Sequence, residues 1–287
     1  MNIDKNTNIL IVGLGLIGGT YAKALKAQGY RVYAITKEQS SVDFATNHGY
    51  VDFATTKTDT KLIADADLIV LALYPHILLE WVKENGKYIK TGAIVTDVTG
   101  IKECIVGPVQ QMLGDRVEFI GAHPMAGRER SGVENSDETV FRDANYVVTP
   151  TDKNTAQGIE TCKQLGRILG FSKISELSVK RHDEIIGFVS QLTHCIAICL
   201  MTCQRTEHLE DYTGDSFRDL TRIARLNDEM WSELFLLNRE ALISRMDLYM
   251  NEMQKLRSYL EHDDRESLRE MMRFSTKRRA LFDKKPE

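Results

Sequence analysis

The chain has 287 residues, 43% of them hydrophobic and 27% charged, with a net charge of −4 and a pI near 6.0. That length predicts two domains rather than one, and no basic excess is present to pair with nucleic-acid phosphates or an anionic membrane. Five cysteines without a C-x-x-C pair argue against a disulfide framework or zinc knuckle, and the polar start MNIDKNTN is no signal peptide, so a cytoplasmic protein with reduced thiols is the expectation.

The apolar run at 9–12 reads as a short buried strand that stops at Gly13-Leu14-Gly15-Leu16-Ile17-Gly18, and a helical pattern then runs through Tyr21, Ala24 and Leu25. Strand before and helix after is the setting of a dinucleotide-binding fingerprint, whereas a turn that merely turns does not need it. Gly13 allows the tight turn, Gly15 lets backbone approach a pyrophosphate, and Gly18 lets helix and strand pack closely. Exposed N–H groups at the helix start, around Leu16 and Ile17, supply an anion site.

Strand-like segments at 8–12, 31–35, 68–73, 94–97, 118–122 and 144–149 alternate with helical ones at 19–28, 40–48, 77–90 and 102–113. This alternation predicts a doubly wound parallel sheet of Rossmann type, with ligands at the carboxyl ends of its strands. The second strand ends in Thr36-Lys37-Glu38, with Ser40 close behind and no acid at the place where NAD-binding folds hold the ribose. Thr36, Lys37 and Ser40 therefore favour a 2′-phosphate and NADP over NAD; alternatively Lys37 is a solvated loop charge and Glu38 serves the ribose. Leu73-Tyr74-Pro75 suits the floor of a nicotinamide pocket, and His76 reads as a surface histidine. Asp97 reads as a strand-ending residue that caps the next helix, and Thr99 is either a hydroxyl donor into the crevice or a turn residue.

His123 directly follows an apolar strand and is held by Pro124 and glycines in GAHPMAGRERSG. An unperturbed imidazole titrates near neutrality, which suits a general base. A helix at 155–169 and an edge strand at 173–177 finish the first domain, placing the boundary near 175: residues 1–175 bind the dinucleotide and 176–287 form an all-α domain. The apolar segment 185–201, interrupted by Gln191 and His194, reads as a buried core helix rather than a membrane span. Cys195, Cys199 and Cys203 fall on one stripe, whose spacing suits small-residue packing better than a metal. Arg222 is either a fork for a substrate carboxylate or a surface partner of Asp219 or Glu229. Residues 238–282 read as two amphipathic charged helices.

Four segments in this order, GLGLIGG, GAHPMAGRERSG, SQLTH and FRDLTRIA followed by Trp231, resemble the prephenate/arogenate dehydrogenase family of tyrosine biosynthesis over nearly the whole chain. The resemblance implies a Rossmann domain followed by a helical dimerisation domain, and a homodimer. It implies oxidative decarboxylation of prephenate, or of arogenate, with hydride passing to NADP or NAD. His123 falls on the family's base, Arg222 on the arginine that grips a substrate carboxylate, and His194 on a substrate contact. Glu129, Asp183, Asp219 and Trp231 fall on positions that shape or gate the pocket. In the family's Asp-x-x-Ser-x-Lys stretch this chain has Gly100 in place of the serine, which leaves Thr99 as the substitute hydroxyl. Other dehydrogenases with a Rossmann plus helical layout use a catalytic lysine, and none lies in 185–225; a silent nucleotide sensor would need neither His123 nor Arg222.

Overall fold

The structure is a computed structural model that describes residues 1–127 and 130–282. Its element order is β1 (Asn8–Val12), α1 (Leu16–Ala27), β2 (Arg31–Ile35), α2 (Gln39–Asn47), β3 (Phe53–Thr55), α3 (Thr60–Asp65), β4 (Leu68–Leu71), α4 (Pro75–Asn85), β5 (Ile94–Asp97), α5 (Glu103–Leu113), β6 (Glu118–Pro124), β7 (Asn145–Thr149), α6 (Ala156–Ile168) and β8 (Lys173–Glu176). A helical segment follows, with α7 (Val179–Ile186), a π-helical turn at Gly187–Leu192, α8 (Thr193–Thr202), α9 (Asp215–Thr221), α10 (Asp228–Leu237), α11 (Arg239–Glu261) and α12 (Arg265–Arg279).

Eight strands form one sheet in the order β3-β2-β1-β4-β5-β6-β7-β8, parallel except for the antiparallel pair β6–β7. β1 lies between β2 and β4, so the chain reverses its direction of growth across the sheet there. Side chains alternate along β1: Ile9 and Ile11 join a core with α1, α2 and α6, while Leu10 and Val12 join one with α3, α4 and α5. Burial on both faces explains why these strands read as nearly continuous apolar runs.

The β6–β7 pairing positions what comes after it. The parallel register of β5 with β6 ends at Thr96↔Ile120, but β7 carries β6 onward, pairing His123 with Val147. The strand therefore reaches two residues beyond the expected end at 122. Where the backbone ladder stops, the Asp97 Oδ1 atom accepts a hydrogen bond from Ala122 N at 3.0 Å and holds the residue before His123 in place.

The chain divides into two compact units, Met1–Asn238 and Arg239–Glu287. In the second, α11 and α12 are joined by a turn in which Asp263 has φ +51° and Asp264 caps α12 by accepting from Ser267 N. Met253, Leu260, Met272 and Phe274 on these helices are exposed. In the first unit, Val179–Thr202 is long and apolar enough to cross a membrane by length and composition, yet only 28% of its most apolar window is buried. The expectation of a buried core helix is corrected accordingly: Phe188 and Val189 stand about half exposed.

Gly18 tests the packing at the first turn. A Cβ there would collide with the Gly13 carbonyl oxygen and stand 3.0 Å from Ala72 Cβ. Helix propensity alone favours Ala over Gly by about 1 kcal/mol, whereas overpacking costs about 1–3 kcal/mol. Gly18→Ala is therefore expected to lower stability in denaturant titration; an unchanged or raised midpoint would contradict the close-packing account.

Candidate active site

The first β–α turn is built as the glycine pattern requires. Gly13 has φ +97°, and a Cβ on it would run into the Ala72 carbonyl. A Cβ on Gly15 would meet nothing within 4 Å. Gly15 is also the N-cap of α1, with no side-chain cap, so the N–H groups at Leu16 and Ile17 open onto that free space. This combination, an uncapped helix start beside an open cradle, fits a dinucleotide pyrophosphate. Around it lie Thr36, whose hydroxyl accepts from Leu14 N at 3.3 Å, the exposed Lys37 and Ser40, and Leu73-Tyr74-Pro75 at the start of α4.

His123 emerges half-buried from the end of β6. Its Nδ1 lies 2.9 Å from His182 Nε2, and His182 Nδ1 lies 2.6 Å from Asp183 Oδ1. Asp183 also accepts from the backbone N–H groups of Lys102 and Glu103, which start α5, at 2.8–3.1 Å. The sequence reading assigned that cap to Asp97. The structure corrects this: Asp97 turns inward to Ala122 N, Thr99 N and Lys102 Nζ, the last at 2.6 Å.

Lys102 is completely buried, and its ammonium donates to Asp97, Thr99 O and Thr99 Oγ1. A buried ammonium is tolerable only when its donors are matched in this way. Thr99 is buried too, its hydroxyl held by Asp97, the Ile101 carbonyl and Lys102. Of the two readings of Thr99, the structure favours the turn residue, and the hydroxyl expected for the crevice is corrected to an internal one. Burial, then His182, then Lys102 hold the His123 imidazole well below its usual pKa. Burial lowers His182 as well, against the pull of Asp183. Both rings are therefore neutral near pH 7.

The edge of His123 that carries Cε1 and Nε2 faces Gly100. A Cβ on Gly100 would stand 3.8 Å from Cε1, 3.9 Å from Nε2 and 3.8 Å from Leu234 Cδ1 of α10. Three residues earlier on α10, Trp231 packs its ring 3.7 Å from that of His194, centroid to centroid. His194 Nδ1 lies 2.9 Å from the Ile223 carbonyl, beside Arg222. The geometry thus links His123, Gly100 and Leu234 at one spot, and His194, Trp231 and Ile223 at a second on the same helix. Arg222 and Asp219 are exposed, one helical turn apart. Glu129 lies outside the described residues.

Two groups escaped the sequence reading. His182 was not singled out; the signal was the spacing of His182, Asp183, Ile186 and Gly187, the inward face of a helix begun by Ser178, which accepts from Arg181 N. Glu233 was the other. It takes a hydrogen bond from His76 N at 2.8 Å and lies 2.9 Å from His76 Nδ1, so it caps α4, whose own N-cap Tyr74 makes no side-chain cap bond. His76 is thereby a tie between α4 and α10. No group of three or more His, Cys, Asp or Glu side chains among the described residues is arranged to hold a metal ion.

A family model described as prephenate dehydrogenase, nucleotide-binding domain, matches residues 21–170, and one described as prephenate dehydrogenase, dimerization domain, matches residues 178–274. Prephenate dehydrogenase of Bacillus subtilis (strain 168) is 32% identical over 282 residues, covering 93% of this chain and 74% of that protein. The crystal structure of prephenate dehydrogenase from A. aeolicus in complex with hydroxyphenyl propionate and NAD+ is similar with a TM-score of 0.88 at 29% identity, over 96% of this chain and 98% of that one. Synechocystis arogenate dehydrogenase gives a TM-score of 0.84 at 25% identity, over 96% and 100%. With a dinucleotide turn and a neutral imidazole at the carboxyl edge of the same sheet, and both halves matched, the chain belongs to the prephenate dehydrogenase family of NAD(P)-dependent enzymes in aromatic amino-acid biosynthesis.

Proposed function

We propose that this chain converts prephenate to 4-hydroxyphenylpyruvate, with arogenate as the alternative substrate and NADP preferred to NAD. The observation that carries the reading is the neutral His123 imidazole, turned with its Nε2 edge toward the space at Gly100. Gly13, Gly15 and Gly18, with the N–H groups at Leu16 and Ile17, would hold the coenzyme pyrophosphate, Thr36, Lys37 and Ser40 its 2′-phosphate, and Leu73, Tyr74 and Pro75 would floor the ring. When bound, the nicotinamide supplies a hydride acceptor. His123 takes the proton of the substrate's ring hydroxyl, which makes hydride departure from that carbon favourable. Loss of CO2 then aromatises the ring and makes the conversion irreversible. Arg222 and His194 meet the substrate carboxylates, since a protein of net charge −4 needs local cationic groups for a dianion. Asp219 and Trp231 shape the entrance.

The division into a dinucleotide-binding domain, 1–175, and a helical substrate and dimerisation domain, 176–287, is part of this reading. So is a cytoplasmic homodimer: the exposed apolar side chains on Val179–Thr202 and on α11 and α12 suit a second copy of the chain.

His123→Asn is expected to leave coenzyme binding intact while kcat falls by roughly 10²–10⁴, the usual worth of a general base. Turnover near that of the parent would remove His123 as base. With NADP, kcat/KM is expected to exceed that with NAD by about tenfold or more, the value of one charge-assisted phosphate contact. A preference for NAD would assign the ribose to Glu38. Because the folded enzyme depresses the His123 pKa, the base stays unprotonated as pH falls through 6.5. The acid limb of kcat/KM is expected below that value, and a limb at 6.5 or above would contradict the neutral base.

A further inference from the structure

His123 needs one particular tautomer to act as a base through Nε2: its proton must sit on Nδ1. The order of hydrogen bonds behind the ring decides this. The carboxylate of Asp183 accepts only, so His182 places its own proton on Nδ1, 2.6 Å away. Neutral His182 then presents a lone pair at Nε2, and the His123 Nδ1–H donates to it across 2.9 Å. The lone pair of His123 is left on Nε2, the edge that faces Gly100. Among the described residues nothing in front duplicates this control. Position 100 has no side chain, the Thr99 hydroxyl is turned into the Asp97–Lys102 cluster, and among the described residues His182 is the hydrogen-bond partner of the His123 ring.

We infer that His182, oriented by Asp183, is a positioning residue that fixes the Nδ1–H tautomer of His123 from behind, a role that no front-side hydroxyl fills among the described residues. The inference rests on the proposed role of His123, and it predicts more than loss of activity. Glutamine can place an amide oxygen where His182 now has Nε2 and keep an acceptor there; leucine cannot. His182→Leu is expected to lower kcat by about 10²-fold or more, bounded by the roughly 10⁴-fold loss that a fully wrong tautomer brings to a histidine base, with KM for substrate and coenzyme within about twofold. His182→Gln is expected to recover most of kcat. Ring ¹⁵N shifts of His123 in the ligand-free enzyme report the tautomer directly: Nδ1–H in the parent and in His182→Gln, a mixture in His182→Leu. Unchanged kcat or an unchanged tautomer in His182→Leu would overturn the inference, as would a glutamine variant no better than leucine. If His123→Asn is active, the base assignment itself fails. If His123→Asn is inactive while His182→Leu turns over normally, only the positioning role fails.

Discussion

The Asp183 carboxylate is the interaction on which the rest of the site depends. The N–H groups at a helix start lack intrahelical partners and carry partial positive charge. At α5 they are met by this carboxylate from α7, which in the same position accepts a hydrogen bond from His182 Nδ1–H. One buried anion thus docks the helical segment on the carboxyl edge of the sheet and sets the row of imidazoles that ends at His123. Glu233 does the like at α4, where it takes the His76 N–H and joins α10 to the turn after β4. Two sheet helices meet two carboxylates from beyond the sheet, and the crevice in which doubly wound folds bind ligands lies beside both contacts.

Charge is handled differently on the two sides of His123. Behind and below it, Lys102 and Asp97 form a fully buried pair whose donors and acceptors are matched, and Asp97 extends the β5 ladder to the residue before the histidine. Such a pair adds little net stability, because desolvation of both ions opposes their attraction. Its effect is to hold β6 in register and to place a positive charge near the imidazole. In front of the ring the missing side chain at Gly100 leaves room for a small group in van der Waals contact with His123 and Leu234. A base kept neutral by burial and by a nearby cation, with its Nε2 edge turned toward that room, is ready to take a proton.

Most of the sheet was legible in the sequence, because strands buried on both faces are apolar throughout. β1, β2 and β5 have the bounds read from hydropathy alone. β3 and α3 were not read: three residues of strand and one and a half turns of helix are too short for a period to show, and only Asp59, capping α3 through Lys61 N and Leu62 N, marks the spot. Gly13 and Gly18 were readable because each answers a steric demand at the backbone, and Gly15 because it keeps the cradle open. The cap given to Asp97 was misread, and the two readings of Thr99 stayed open, for another reason. Their partners, Ala122 and Lys102, are met only when neighbouring strands and turns are assembled, and a local pattern cannot say which helix start receives a carboxylate. His182 lies 59 residues from His123, so its meaning appears only in three dimensions. The apolar helix Val179–Thr202 shows a further limit: hydropathy tells that a face will be covered, not by which chain.

The central claim is that the Nε2 edge of His123 is where the substrate hydroxyl loses its proton. A crystal structure of this protein with coenzyme and hydroxyphenyl propionate tests it most directly. The account predicts the ligand's phenol oxygen within hydrogen-bond distance of His123 Nε2, in the space beside Gly100, with His182 and Asp183 still aligned behind. A phenol oxygen bound elsewhere, or a His123 ring turned so that Nε2 meets His182, would contradict it.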